Sequence, residues 1–169
     1  MVTTPPDRPH DEDYLRLDIQ LCFSLHAASR AFNGVYRTLL KDLGLTYPQY
    51  LVMLTLWEHG ELPVKSIGEK LRLDSGTLSP LLKRLESAGF VERHRSRADE
   101  RSVTIRLTEQ GTALREQALA VPHHIARAVN LPPEDFHTLR TLLATLTEGL
   151  DAAQGPMATG TDEAACAEG

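Results

Sequence analysis

The chain has 169 residues, of which 41% are hydrophobic and 24% charged, and its formal net charge is −5. This length suits one domain with a real core, and no apolar run approaches the roughly 18 residues of a membrane span. The polar start lacks the apolar core of a signal peptide, so we expect a cytoplasmic protein without membrane contact. Two cysteines are too few for a disulfide framework. Without ligands at metal-site spacing, we expect no metal and no cofactor.

Basic residues are concentrated in one part of the chain. Between Pro63 and Arg106 there are ten Lys or Arg against six Asp or Glu, a local net charge of +4. The remainder holds eight basic and 17 acidic residues, a net charge of −9. One basic segment in an acidic protein predicts a localised polyanion-binding surface.

Helical patterns fill the first half of the chain. Residues 1–10 are predicted to form a flexible arm. Apolar residues spaced by threes and fours predict a helix over Asp13–Leu43, and Pro48 begins a second helix that runs through "LVMLTLWEHG". A short helix "VKSIGEKLRL" and a helix "SGTLSPLLKRLESAG" follow, the latter capped by Asp74.

The pattern then changes to strands and back to helices. "FVERHRS" and "SVTIRLT" alternate apolar and polar residues around the charged turn "RADER", which predicts a β-hairpin. A helix follows Thr108, bent or broken at Pro122, and "PEDFHTLRTLLATLTEGLDAA" forms the last helix. Residues 154–169 are predicted to be a flexible tail.

This order predicts a mainly α fold with a small β-wing. A single domain over residues 11–153 would hold a winged helix-turn-helix core at about 46–108. N- and C-terminal dimerisation helices would occupy about 13–43 and 109–153. Because these outer helices carry more apolar surface than the core needs, we expect a homodimer.

The basic segment contains the side chains expected to contact double-stranded DNA. In a helix-turn-helix, the N-terminal residues of the second helix face base edges in the major groove, which points to Ser75, Thr77 and Ser79. Lys83 and Arg84 are placed for phosphates. The hairpin contributes Arg93, Arg95, Arg97 and Arg101 to a basic wing suited to the minor groove, and Asp99 is predicted to hold Arg101 in a bidentate pair that stabilises the wing. The alternative is a solvated charged hairpin.

These residues resemble a known family. The stretch "IGEKLRLDSGTLSPLLKRLESAGFVERHRSRADERSVTIRLTEQG", with "DERS" followed by "LTEQG", looks like the winged-helix core of the MarR family of dimeric bacterial repressors. The resemblance covers about residues 14–150. "QLCF" and "TYPQYLVMLTLWEH" are similar to the organic-hydroperoxide-sensing branch, OhrR.

Cys22 is the residue on which the mode of regulation depends. At about 100° per residue, Cys22, His26 and Tyr36 fall on one line of the first helix. That line is on the shoulder of the apolar face, which predicts a thiol neither deeply buried nor plainly exposed. A free cysteine on a helix is commonly an inert small hydrophobe. The alternative is a thiol activated by polar neighbours and by the N-terminus of the helix at Tyr47.

The resemblance favours the second interpretation. It implies that Cys22 is the redox-sensing residue, held by the hydroxyl groups of Tyr36 and Tyr47 across the dimer interface, with His26 where the branch has a tyrosine. An organic hydroperoxide would oxidise Cys22 to a sulfenic acid. The sulfenic acid would then react either with a low-molecular-weight thiol, to give a mixed disulfide, or with Cys166 in the tail, to give a disulfide between the two cysteines. We expect the reaction with the low-molecular-weight thiol.

The predicted function is therefore that of a non-enzymatic repressor that binds a pseudo-palindromic operator and releases it when Cys22 is oxidised. The alternative is a MarR-type repressor released by a non-covalent aromatic or drug-like ligand in the cleft between the first two helices and the DNA-binding lobe. A thiol peroxidase is a weaker alternative, since no cysteine stands at a strand-to-helix turn beside an arginine.

Overall fold

The computed structural model describes residues 14–95 and 103–154. The described residues form α1 (Leu21–Leu39), α2 (Tyr47–His59), β1 (Leu62–Pro63), α3 (Val64–Leu71), α4 (Ser75–Ser87), β2 (Val91–Arg95), β3 (Val103–Leu107), α5 (Glu109–Ala118), α6 (Ala120–Val129) and α7 (Pro133–Ala153). This order confirms the mainly α fold with a small β-wing. Several predictions concern residues outside the described ones: the arm at 1–10, Arg97, Asp99, Arg101 and Cys166.

The chain divides into two compact units, residues 1–128 and 129–169. The first unit contains α1 to α6 and the sheet, and the second contains α7. The single domain over residues 11–153 stays a prediction.

α2 is the centre of the first unit. It contacts α1, α3, α4, α5 and β3, and Tyr50, Val52, Met53 and Leu56 are buried on its different sides. Its start is fixed by a capping box, in which the Thr46 N–H donates to Oε1 of Gln49 at 2.8 Å, and by Pro48 in the first turn. α2 therefore positions the elements around it that are predicted to bind DNA.

α3 and α4 form the predicted helix-turn-helix. The Asp74 carboxylate accepts a hydrogen bond from the Thr77 N–H at 2.9 Å, which confirms the predicted N-cap. Arg72 ends α3 with a φ of +55°, and the Leu73 N–H donates to the Gly68 carbonyl at 2.9 Å. A Cβ at Gly68 would lie 2.9 Å from the Leu73 carbonyl oxygen, so a glycine here lets the turn close against α3.

The wing, here the strands β2 and β3, is joined by a third strand. β2 and β3 are antiparallel, with Val91 opposite Leu107 and Arg95 opposite Val103. β1 pairs with the other edge of β3, where Leu62 is opposite Ile105, so the strand order is β1-β3-β2. β1 was not predicted from the sequence because two residues are too short for an alternating pattern.

The first helix is shorter than predicted. It begins at Leu21 instead of Asp13, because a 3-10 turn at Leu17–Ile19 is followed by extended backbone at Gln20. The helix ends at Leu39 instead of Leu43. The chain then turns up to Gly44, whose φ is +65°. The predicted break near Pro122 is confirmed, because α5 ends at Ala118 and α6 begins at Ala120. In one continuous helix, the ring of Pro122 would clash with the carbonyl of Ala118, four residues earlier.

Much of the apolar surface on α1 is exposed in the single chain. The exposed fractions are 58% for Leu21 and 36% for Phe32, and none of the residues of α1 is fully buried. In the second unit, α7 has the predicted bounds and also buries no residue. Its exposed apolar side chains are Phe136, Leu139, Leu142, Leu143 and Leu150.

Candidate DNA-binding surface and thiol site

α4 has one buried face and one polar face. Leu78, Leu82 and Leu85 are buried against the core, at exposures of 1% or less. The residues predicted to contact DNA are all exposed on the remaining surface: Ser75, Thr77, Ser79, Lys83 and Arg84. Buried leucines thus fix α4 so that its small hydroxyl groups and its cations face solvent.

The Thr77 hydroxyl is already used within the protein. It donates to Oδ2 of Asp74 at 2.8 Å, while the Thr77 N–H donates to Oδ1. These hydrogen bonds hold the pKa of Asp74 below its ordinary value of 3.8. Thr77 therefore fixes the start of α4, and its hydroxyl oxygen has lone pairs left for accepting from a base.

The two described wing arginines differ in their surroundings. The Arg93 Nε lies 3.1 Å from Oε2 of Glu86, and its Nη2 donates to the Ser79 carbonyl at 3.4 Å. Arg95 is exposed at the end of β2. The structure thus gives Arg93 two partners on α4 that the sequence did not reveal, because Glu86 and Arg93 belong to different elements.

A second ion pair links the two wing strands. Glu92 and Arg106 are opposite each other in the register, with 2.5 Å between Oε1 and Nε, and the His94 Nε2 lies 3.3 Å from Oε2 of Glu92. The hydrogen bond from Arg106 lowers the pKa of Glu92. This pair links β2 to β3 within the wing.

Cys22 is more exposed than predicted. The sequence placed it on the shoulder of the apolar face, neither deeply buried nor plainly exposed, but it is an exposed residue and the second one of α1. The physical reason is the late start of the helix, which leaves α1 without a covering element at this end of the described chain. The Cys22 thiol is 3.9 Å from Oε1 of Gln20, to which it donates. Its position in the first turn puts the sulfur near the positive end of the helix dipole.

Tyr36 and Tyr47 are brought together, as part of a larger aromatic cluster. Their ring centroids are 4.3 Å apart, and Tyr36 also lies 5.1 Å from Phe32 and 5.8 Å from Tyr50. Burial, with Tyr47 and Tyr50 as neighbours, raises the pKa of Tyr36 to about 12. Burial also raises the pKa of Tyr47. Both phenols therefore keep their protons at neutral pH and remain hydrogen-bond donors.

Cys22 and this cluster are far apart within one chain. Cys22 and Tyr36 are 14 residues apart on α1, which corresponds to about 21 Å at a rise of roughly 1.5 Å per residue. His26 lies one turn from Cys22 and is exposed. A single chain thus does not join the predicted thiolate-supporting tyrosines to the thiol.

An open cavity of about 420 Å³ lies elsewhere in the first unit, between α2, α5 and α6. Its walls include Tyr50, Leu54, Trp57 and Leu119, with Arg115 also lining it. Sequence reasoning missed this cavity, whose only signal was the apolar character of α2 on all sides.

Among the described residues no three His, Cys, Asp or Glu are grouped as metal ligands. Within those same ranges no helix has the length and apolarity to cross a membrane.

The fold and the α4 surface define a winged helix-turn-helix protein, and comparisons with known proteins agree. A model of the SarA/Rot family of transcriptional regulators matches residues 34–117. The organic hydroperoxide resistance transcriptional regulator of Bacillus subtilis (strain 168) is 50% identical over 138 residues, which cover 82% of this chain and 94% of that protein.

Solved structures give the same result. The structure of reduced AbfR bound to DNA has a TM-score of 0.72 and 38% identity, over 85% of this chain and 99% of that one. A mutant of MarR from E. coli, complexed with operator DNA, has a TM-score of 0.70 and 27% identity, over 76% and 94%. The chain belongs to the SarA/Rot/MarR-type winged-helix family of transcriptional regulators, which are not enzymes.

Proposed function

We propose that this chain is a homodimeric repressor that binds a pseudo-palindromic operator and releases it when an organic hydroperoxide oxidises Cys22. The observation that carries the proposal is the exposed Cys22 in the first turn of α1, in a chain 50% identical to a regulator named for organic hydroperoxide resistance. The proposed location is the cytoplasm, where regulators of this type meet DNA.

The DNA surface is assigned to α4 and the wing. Ser75, Thr77 and Ser79 at the start of α4 would face base edges in the major groove. Lys83 and Arg84 would contact phosphates. The wing cation Arg95 would lie at the minor groove, together with Arg97 and Arg101 outside the described residues, where Asp99 would hold Arg101. Related regulators bound to DNA support this assignment.

A second copy of the chain would complete the thiol site. The exposed apolar residues of α1 are the surface that such a copy would cover, and those of α7 are another. If two α1 helices lie antiparallel across a two-fold axis, Cys22 of one subunit approaches Tyr36 and Tyr47 of the other. This arrangement spans the separation of about 21 Å that divides these residues within one chain.

The oxidation of Cys22 to a sulfenic acid needs only the thiolate and the hydroperoxide. The Cys22 sulfur attacks the peroxide oxygen that carries hydrogen, the O–O bond breaks, and the departing alkoxide takes a proton and leaves as an alcohol. The sulfur is oxidised to a sulfenic acid while the peroxide is reduced. A low-molecular-weight thiol then forms a mixed disulfide and releases water, and Cys166 is the candidate resolving thiol for the disulfide route.

The surroundings favour a negative sulfur. The N-terminus of α1 places partial positive charge beside Cys22, and the Tyr36 and Tyr47 phenols, which stay protonated, can donate to the sulfur. His26 offers a further donor one turn away. An adduct on Cys22 would displace the partner's helices and alter the spacing of the two α4 helices, which must match half-sites about 34 Å apart.

A second candidate function is a repressor released by a non-covalent aromatic or drug-like ligand. The cavity lined by Tyr50, Trp57 and Leu119 favours it, since aromatic and apolar walls suit an aromatic ligand. Its lining also holds one charge of each sign, Arg115 and Glu58. This cavity lies between α2, α5 and α6, which differs from the cleft expected from the sequence. The candidate predicts that Cys22 does not affect regulation.

A reporter driven by DNA from upstream of the chain's own gene distinguishes the two. We expect cumene hydroperoxide to induce the reporter in cells with the wild-type protein, and the Cys22→Ser variant to keep it repressed. The control variant is Ser24→Ala, which changes an exposed residue of the same helix turn and should be induced normally. Equal induction of wild type and Cys22→Ser by an aromatic acid, with no induction of either by cumene hydroperoxide, would establish the second candidate instead.

A further inference from the structure

Arg93 connects the wing to two residues of α4, Glu86 and Ser79. Its Nε is 3.1 Å from the Glu86 carboxylate, and its Nη2 donates to the Ser79 carbonyl at 3.4 Å. Ser79 and Glu86 are seven residues apart and so lie along the same side of α4. One planar guanidinium therefore follows the edge of the helix that faces the wing.

This geometry makes Arg93 a poor phosphate ligand. Its positive charge is next to a carboxylate, and the Arg93 and Glu86 side chains are only 34% and 41% exposed. The cation is thus neutralised locally, and moving it to a phosphate would leave Glu86 as an unpaired negative charge beside DNA.

We propose that Glu86 and Arg93 form a clamp that fixes the wing relative to α4, and that both act as positioning residues for DNA binding. The proposal rests on the DNA-binding function proposed above. In the proposed complex, α4 enters the major groove and the wing lies at the adjacent minor groove of the same duplex. The distance and angle between α4 and the wing must therefore match the spacing of the two grooves. A clamp made before binding removes the cost of ordering the wing at the moment of contact.

The clamp and a direct contact predict opposite results for one variant. Glu86→Ala removes a negative charge from the DNA-binding side, so direct electrostatics predicts tighter binding. The clamp predicts weaker binding, because Arg93 loses its anchor. Ordering one long side chain per subunit corresponds to about two- to tenfold in affinity, and hence roughly four- to hundredfold for a dimer.

The experiment measures the affinity for DNA from upstream of the chain's own gene, at several salt concentrations. The proteins are wild type, Glu86→Ala, Arg93→Gln and the double variant. Glu92→Ala is the matched control, because it removes the same charge from an ion pair that joins β2 to β3. We expect Glu86→Ala and Arg93→Gln to weaken binding equally, the double variant to be no weaker than either, and Glu92→Ala to bind no more weakly than wild type.

A second readout separates positioning from a general loss of structure. The slope of log affinity against log salt should be unchanged in both clamp variants, since no phosphate contact is lost. In hydroxyl-radical footprints, protection by the wing should weaken while protection by α4 remains. Circular dichroism and urea unfolding should show that these variants, changed at surface positions, are folded.

Three results would overturn the proposal. One is wild-type or tighter binding by Glu86→Ala, and another is additive losses in the double variant. The third is a salt slope that falls by about one per subunit in Arg93→Gln, which would show a direct phosphate contact. If the wild type itself lacks salt-dependent DNA binding, the proposed function fails and the clamp with it, whereas the three results above leave that function standing.

Discussion

The thiol site is expected to be made by two subunits, and mixed dimers test this directly. Cys22 and Tyr36 are about 21 Å apart along α1, farther than their side chains can span. One subunit type carries Tyr36→Phe and Tyr47→Phe, and the other carries Cys22→Ser. Both are made in a Cys166→Ser background, so that the only thiol is Cys22.

The expected size of the effect follows from the hydrogen bonds that the phenols donate. A hydrogen bond to a charged group contributes about 1.5–3 kcal/mol, so losing one should slow oxidation by cumene hydroperoxide roughly ten- to 150-fold. In a mixed dimer, the Cys22 of the phenylalanine subunit meets intact tyrosines on its partner. After equal mixing and random exchange, roughly half of the thiols should therefore regain the wild-type rate.

Stopped-flow measurement of thiol loss after mixing gives both the rates and the amplitudes. A biphasic trace with a fast phase of about one half supports a shared site. A single slow phase, equal to that of the phenylalanine homodimer, would refute the arrangement across subunits. Oxidation of that homodimer at the wild-type rate would refute the role of the tyrosines.

Three further predictions concern stability. Gly111→Ala should lower the free energy of unfolding by about 2–3 kcal/mol in urea titrations, because the new Cβ would collide with the Phe90 carbonyl oxygen. Gly34→Ala is the control, because its new Cβ would have no atom within contact distance, and it should raise the free energy of unfolding by about 0.5–1 kcal/mol. Equal effects of the two substitutions would contradict the close packing of α5 against Phe90. Because folding raises the pKa of Tyr36 from 10.0 to about 12, its contribution to stability is complete below pH 10 and is lost as the pH rises through about 12. Tyr36→Phe should flatten the decline measured over that range, and an unchanged slope would count against the burial. Because folding lowers the pKa of Asp74, stability should fall as the pH drops below its ordinary value of 3.8, and Asp74→Asn should reduce that dependence, measured by acid unfolding.

Much of the fold could be predicted because its boundaries are set by local chemistry. Asp74 caps the helix that follows it, Pro48 marks the first turn of α2, and Pro122 interrupts the long helical pattern within a few residues. The alternation in β2 and β3 predicted the hairpin. Each of these signals acts over a few residues, so the sequence alone contains it.

Features that depend on distant partners could not be predicted. β1 is a strand only because β3 lies beside it. The Glu86–Arg93 pair joins two elements, and neither residue alone indicates it. The start of α1 was predicted at Asp13, because Gln20 provides no side-chain cap that would mark the true start. Cys22 therefore lies in the first turn of the helix, which the sequence did not reveal.

The most direct test of the central claim is binding of the purified protein to DNA from upstream of its own gene. Fluorescence anisotropy would compare reduced protein, protein treated with one equivalent of cumene hydroperoxide and a small thiol, and Cys22→Ser treated in the same way. We expect the reduced protein to bind, the oxidised wild type to release the DNA, and the treated serine variant to stay bound. Retention of DNA by the oxidised wild type, with Cys22 shown by mass spectrometry to be modified, would contradict the central claim.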